Sequence, residues 1–148
     1  MFPAARPICL PDPAQDYNNM TALVTGWGKT KYKGKQSLIL KKGRVTTFHC
    51  KKSHYPEHRI TEDMICAQGA GTDACNGDSG GPLAVEGPDG SYSQIGVVSW
   101  GKDCARPGYP GVYTRLTAVL PWLTKTINSA SSIPVPGTEC QILIYTSY

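Results

Sequence analysis

No stretch of the 148-residue chain approaches the ~20 consecutive apolar residues of a membrane-spanning helix, so a span of that kind is excluded. The opening residues, Met1-Phe2-Pro3-Ala4-Ala5-Arg6-Pro7, hold two prolines and no apolar core segment, so no secretory leader is expected there. Charge is sparse, at 18% of residues, but 40% hydrophobic content places the chain among globular proteins rather than disordered ones. Acids are missing altogether between Lys29 and Lys52, where nine of the fifteen basic residues lie, so the net charge of +4 is local in origin. Histidine is scarce. His49, His54 and His58 are the only three, which limits where a general base could come from.

Sixteen glycines and twelve prolines, scattered without a period, punctuate the chain as an all-β protein requires. Short apolar or alternating runs near 21–26, 36–48, 63–67, 82–86, 92–99 and 111–115 predict six strands, enough for one small antiparallel barrel. Residues 117–128 change period: Leu116, Leu120, Leu123 and Ile127 recur at helical spacing. Thr117 is the expected N-cap, and Pro121 fits only an early turn. Residues 129–148 are Ser/Pro-containing and expected to be poorly ordered.

The chemistry concentrates in Asp73-Ala74-Cys75-Asn76-Gly77-Asp78-Ser79-Gly80-Gly81-Pro82. A serine among glycines can attack a carbonyl. Gly77 leaves no side chain to block a ligand, and the N–H groups of Gly77 and Ser79 can converge on a developing oxyanion. A bare G-x-S-x-G would more often be an incidental loop, but the flanking motifs exclude that here.

With Ile8-Cys9-Leu10-Pro11, Thr25-Gly26-Trp27-Gly28, Val98-Ser99-Trp100-Gly101 and Pro110-Gly111-Val112-Tyr113-Thr114 in matching order, the chain resembles the C-terminal half of a trypsin-like (chymotrypsin-fold) serine protease. The resemblance runs from about residue 8 to residue 128, which assigns 1–128 to a partial peptidase domain. It implies a six-stranded antiparallel Greek-key barrel, one of the two in that fold, followed by a C-terminal helix. It also implies Ser79 as nucleophile, Gly77 and Ser79 as oxyanion donors, and Asp78 as the acid that pairs with a new amino terminus when a zymogen is cut. Asp73 would lie at the floor of the primary specificity pocket, where a buried carboxylate favours Arg or Lys. Gly101 and Gly111 match the pocket walls that must stay small, and Ser99 and Trp100 match the strand that pairs with substrate backbone. Ala74 lacks a hydroxyl common in relatives, which tilts preference toward Arg. Pro110 stands where sodium-responsive relatives carry Tyr, so no sodium dependence is expected.

By the same resemblance Cys50 pairs with Cys66 and Cys75 with Cys104, the second bridge tying the serine loop to the Trp100 wall. A further bridge common in the family would join the positions of Ala22 and Val85, and both residues here are apolar. Cys9 then has a partner in an upstream chain, and Cys140 pairs with Cys9, with another molecule or with nothing. These cysteines and the Asn19-Met20-Thr21 glycosylation acceptor suit a secreted, extracellular protein. That setting, without an export signal, implies an upstream part absent from this sequence.

The family's catalytic His and Asp would both lie before residue 1. His49, followed by Cys50, superficially matches the motif around that histidine, but it comes after Thr25-Gly26-Trp27-Gly28; all three histidines belong to a surface segment around Tyr55-Pro56. The resulting expectation is a serine endopeptidase cleaving protein substrates after Arg or Lys, inactive as this chain alone. It needs no metal or other cofactor. A rival is a non-catalytic homologue kept as a binding or cofactor module. A third reading rests on the lysines of 29–52 as a polyanion contact; their spread over loop and strands favours a solvated surface instead. The Lys29–Lys35 stretch also matches a loop that relatives cut in themselves. No nucleic-acid partner is expected. An isolated barrel would expose the apolar face meant for its partner barrel and aggregate.

Overall fold

The computed structural model describes residues 8–130. Cys140 and the tail beyond residue 130 lie outside them, as do residues 1–7. Six strands close into a barrel: β1 (Thr21–Gly26), β2 (Lys41–Phe48), β3 (Met64–Gln68), β4 (Pro82–Glu86), β5 (Tyr92–Trp100) and β6 (Gly111–Arg115). All pairings are antiparallel, in the order β1-β2-β3-β6-β5-β4. Since β3 pairs with β6 and not β4, the chain must cross over between β3 and β4. The serine motif lies in that crossing.

Alternation sets which side chains enter the barrel. On β1, Ala22 and Val24 are buried while Leu23 and Thr25 are partly exposed; on β2, Val45 and Thr47 are buried and Arg44 and Thr46 are exposed. Ile65, Leu83, Ile95 and Tyr113 complete a core from four further strands. Each fully buried aliphatic side chain there contributes ~1.5–3 kcal/mol. The hydroxyl of Thr47, the one buried polar residue of this set, donates to the Tyr17 carbonyl at 2.5 Å and accepts from Met20 N at 3.0 Å. The β1–β4 register, Leu23↔Ala84 and Val24↔Leu83, continues to Ala22 and Val85, which are 1% and 5% exposed and belong to one core cluster. Apolar packing of these two side chains lies along that seam.

Two elements depart from the sequence expectation. The strand read over 36–48 begins only at Lys41. Ser37 N donates back to the carbonyls of Trp27 and Gly28, turning the chain before it can join the ladder, and Leu38, Ile39 and Leu40 are left exposed. The helix α1 (Leu116–Ala130) starts before Thr117, which is therefore inside the first turn and not its cap. Pro121 falls in the second turn, where its missing N–H leaves the Thr117 carbonyl without its i+4 donor. Leu116 and Leu120 bury against the barrel, and Leu123 and Ile127 on the same stripe are half-buried.

Candidate active site

A two-residue bridge, Gly69↔Thr72, closes the base of the crossing between β3 and β4. The loop then folds on itself and onto β5. Asp78 N donates to Cys75 O and Gly81 N to Asp78 O; Gly80 N donates to Val98 O and Val98 N to Gly81 O, all at 2.9 Å. Gly77 (φ +100°) and Gly80 (φ +81°) take left-handed backbone that few other residues adopt. A Cβ on Gly77 would also stand 2.7 Å from the Gln36 amide nitrogen. Ser79 is exposed at the crest. Among the described residues, the N–H groups of Gly77 and Ser79 donate to no protein acceptor, while those of Asp78, Gly80 and Gly81 are all engaged.

Ser79 opens on a cavity of about 260 Å³ lined also by Ser99, Trp100, Gly101, Gly111 and Tyr113. The Cys75–Cys104 disulfide, with Cα atoms 5.3 Å apart, fastens the serine loop to the opposite wall. The second expected bridge, Cys50–Cys66, joins the 50–66 segment to β3.

Asp73 is placed behind Gly111. Its Oδ2 accepts from Ala105 N at 3.1 Å, whereas Oδ1 is buried without a hydrogen-bond partner among the described residues. Burial raises the carboxyl pKa to about 6, against the opposing effect of nearby N–H groups, that of Ala105 foremost. The Tyr113 hydroxyl beside it is likewise buried and unpartnered, and burial pushes its pKa up. A Cβ on Gly111 would stand 2.5 Å from Asp73 Oδ1; a Cβ on Gly101 would meet nothing nearer than 3.7 Å. Packing therefore requires glycine at 111 but not at 101, where only an open cavity calls for it.

Asp78 is satisfied by backbone: Oδ1 accepts from Gly28 N at 2.7 Å and Oδ2 from Cys75 N at 3.0 Å. A Cβ at either Gly26 or Gly28 would overlap this carboxylate, which explains both glycines of Thr25-Gly26-Trp27-Gly28. Asp78 and Asp73 share a second cavity of about 310 Å³, bordered by Gly28, Lys29, Lys41 and Lys42.

Tyr55, read from sequence only as part of a surface segment, is 8% exposed. Its hydroxyl donates to Pro110 O and accepts from Lys102 N, both at 2.9 Å, joining the two strand ends that form the cavity wall. Its ring packs 4.7 Å from that of Trp100 and 5.3 Å from that of Tyr109. The sequence signal was available: a tyrosine inside the 50–66 disulfide loop is tied to β3 and so to the wall. The histidines are elsewhere. His49 is half-buried and accepts from Lys51 N, His54 meets Tyr109 edge-on at 5.7 Å, and His58 is exposed. Among the described residues none hydrogen-bonds to Ser79.

The nine basic residues do not form one patch. Lys29, Lys31, Lys41 and Lys42 border the second cavity, while Lys51, paired with Glu62 at 3.1 Å, lies past the far end of β2, roughly 25 Å away at strand rise. Asn19 is exposed on the turn before β1, at φ +58°.

Comparison with known proteins adds an independent line. A family model described as Trypsin matches residues 1–123. Among curated proteins, the chain is 45% identical over 130 residues to the suppressor of tumorigenicity 14 protein homolog of Bos taurus, covering 82% of this chain and 15% of that protein. It is 43% identical over 127 residues to transmembrane protease serine 9 of Rattus norvegicus, covering 82% of this chain and 12% of the relative. With the proclotting enzyme of Tachypleus tridentatus the identity is 39% over 128 residues, 81% of this chain and 34% of the relative. The chain thus spans between 12% and 34% of the length of these relatives.

Proposed function

We propose, from the premise that this chain belongs to the trypsin family of serine proteases, that it supplies the nucleophile and the specificity pocket of an endopeptidase cleaving after Arg or Lys. The observation that carries the reading is the pairing of an exposed Ser79, beside two unused N–H groups, with a buried Asp73 oxygen that lacks a partner. A guanidinium or ammonium passing along the Gly101 and Gly111 side of the cavity would answer that oxygen. With the side chain so held, the scissile carbonyl lies over Ser79, and the N–H groups of Gly77 and Ser79 face its developing oxyanion. Ser79 Oγ bonds to the carbonyl carbon, its proton passes through a base to the leaving amine, and water then hydrolyses the acyl-enzyme. The base is a histidine outside this chain, since none within it reaches Ser79. Ser99 to Gly101 supply the backbone edge for the substrate.

Asp78 fits the role of acid for a new amino terminus. Each of its oxygens has accepted one N–H and keeps capacity for another, and the 310 Å³ cavity beside it has room for an entering chain end. Exposed Trp27, Leu38, Ile39 and Leu40 support a partner barrel, through which an isolated chain would otherwise aggregate. The two disulfides and the exposed Asn19 support an extracellular, glycosylated protein.

The decisive experiment is labelling of the full-length protein by an organophosphonate. Ser79→Ala should abolish it. Labelling that persists in this variant removes Ser79 from its role, and an unmodified natural protein favours the non-catalytic binding module.

A further inference from the structure

The wall behind Trp100 carries positive charge that cleavage after Arg or Lys does not use. The Arg59 guanidinium lies 4.9 Å from the Trp100 ring centre, Lys102 Nζ 4.5 Å from that of Tyr109, and Arg106 4.9 Å from the same ring. Arg106 is matched by Asp103 at 2.8 Å, and Lys102 also feels that carboxylate at longer range. Neither Arg59 nor Lys102 has a carboxylate within 4.0 Å among the described residues. Three cations over one acid leave the wall positive. Ring faces hold these cationic heads in place without cancelling their charge. Tyr55 fixes the rings themselves, through its stacking and its two hydrogen bonds.

The position of this wall relative to the cavity gives it a reader's role. Pairing of β5 with β4 ends at Val97, and the serine loop takes the N–H and carbonyl of Val98, so on that side Ser99 to Gly101 form an open edge. Every strand pair of the barrel is antiparallel, and a substrate added in the same sense runs opposite to β5. With its basic side chain in the cavity lined by Gly101 and Gly111, a substrate running opposite to β5 carries its preceding residues past Trp100 toward Lys102. At ~3.3 Å per residue, that reach corresponds to the second and third residues upstream.

We infer that this wall is an acidic-peptide subsite, selecting substrates with Asp or Glu two or three residues before the Arg or Lys. The inference rests on the reading of Ser79 and Asp73 given above. Two exposed ion pairs support on the order of a three- to tenfold preference in kcat/KM, and added salt should shrink it.

The test is hydrolysis by the full-length protein of matched fluorogenic peptides ending in Arg, with Glu or Gln at the second and third upstream positions. The Glu peptide should be preferred, and R59Q combined with K102Q should bring the Glu:Gln ratio near one. Equal cleavage of the two peptides, or a ratio the double variant leaves intact, overturns the subsite while leaving the cleavage site standing. A preference for acids only downstream of the Arg overturns it as well. If no peptide is cut, the proposed activity falls separately, and titration of the same peptides against the protein decides the subsite: tighter binding of the Glu peptide that the double variant abolishes keeps it, and any other result rejects it.

Discussion

Asp73 and Asp78 belong to one loop, and the fold treats their carboxylates in opposite ways. Asp78 has an N–H on each oxygen and two glycines cleared to receive it. Asp73 has one oxygen bonded and the other buried with nothing to meet it. A carboxylate satisfied by backbone supports the loop's shape at once. One left short favours a cation brought from outside, because desolvation has already been imposed on it. The contrast separates a carboxylate already satisfied by the loop from one with an oxygen still open to a donor.

The largest expected effect tests the carboxylate left short. Asp73→Asn in the full-length protein should weaken binding of a small amidinium ligand by on the order of 100-fold or more, the scale for removing one partner of a buried charge pair. Calorimetric titration would show it, and an unchanged affinity would erase the contrast. On the supporting side, Asp78→Ala leaves the N–H groups of Gly28 and Cys75 without their acceptor, at a cost of ~2 kcal/mol in stability measured by urea unfolding. A loss equal to that of Asp73→Asn would make the two acids alike.

The glycines sharpen the comparison at smaller scale. Gly111→Ala collides with Asp73 and should cost ~1–3 kcal/mol, while Gly101→Ala should stay within about 0.5 kcal/mol and only narrow the cavity. The mildest probe is pH. The folded-state pKa of Asp73 is raised from 3.8 to about 6, so the folded protein keeps this proton longer than the unfolded chain. Its contribution to stability therefore falls as pH rises between those values, while amidinium affinity climbs by about tenfold per pH unit and levels off above pH 6. Asp73→Asn should flatten both profiles, and a pH-independent affinity in the unmodified protein would contradict the placement of that proton.

The barrel and the serine loop were readable in the sequence because glycine, proline and alternation act locally. The six strands form close to the expected runs, and Ala22 and Val85 lie in one core cluster. Leu38-Ile39-Leu40 misled for the same reason: three apolar residues look like a buried strand until Ser37 turns the chain back onto Trp27 and Gly28. Thr117 misled as a cap because α1 gains its first turn from burial of Leu116 against the barrel, which composition does not show. Tyr55 and Arg59 were passed over because their contacts with Trp100, Lys102 and Pro110 span more than forty residues of chain. The resemblance put Asp73 at a pocket floor; the carboxylate lines the cavity beside Asp78 and reaches the Ser79 side only behind Gly111, and the orphaning of one of its oxygens depends on the packing of Gly111 and Tyr113 around it.

The unequal crowding of the two pocket glycines also orders the steps by which this site can change over evolutionary time. Position 101 can accept a methyl group, which narrows the cavity beside Ser79 while the barrel stays folded. Position 111 is locked until Asp73 shortens or goes, so a side chain can arise there only after that carboxylate has changed.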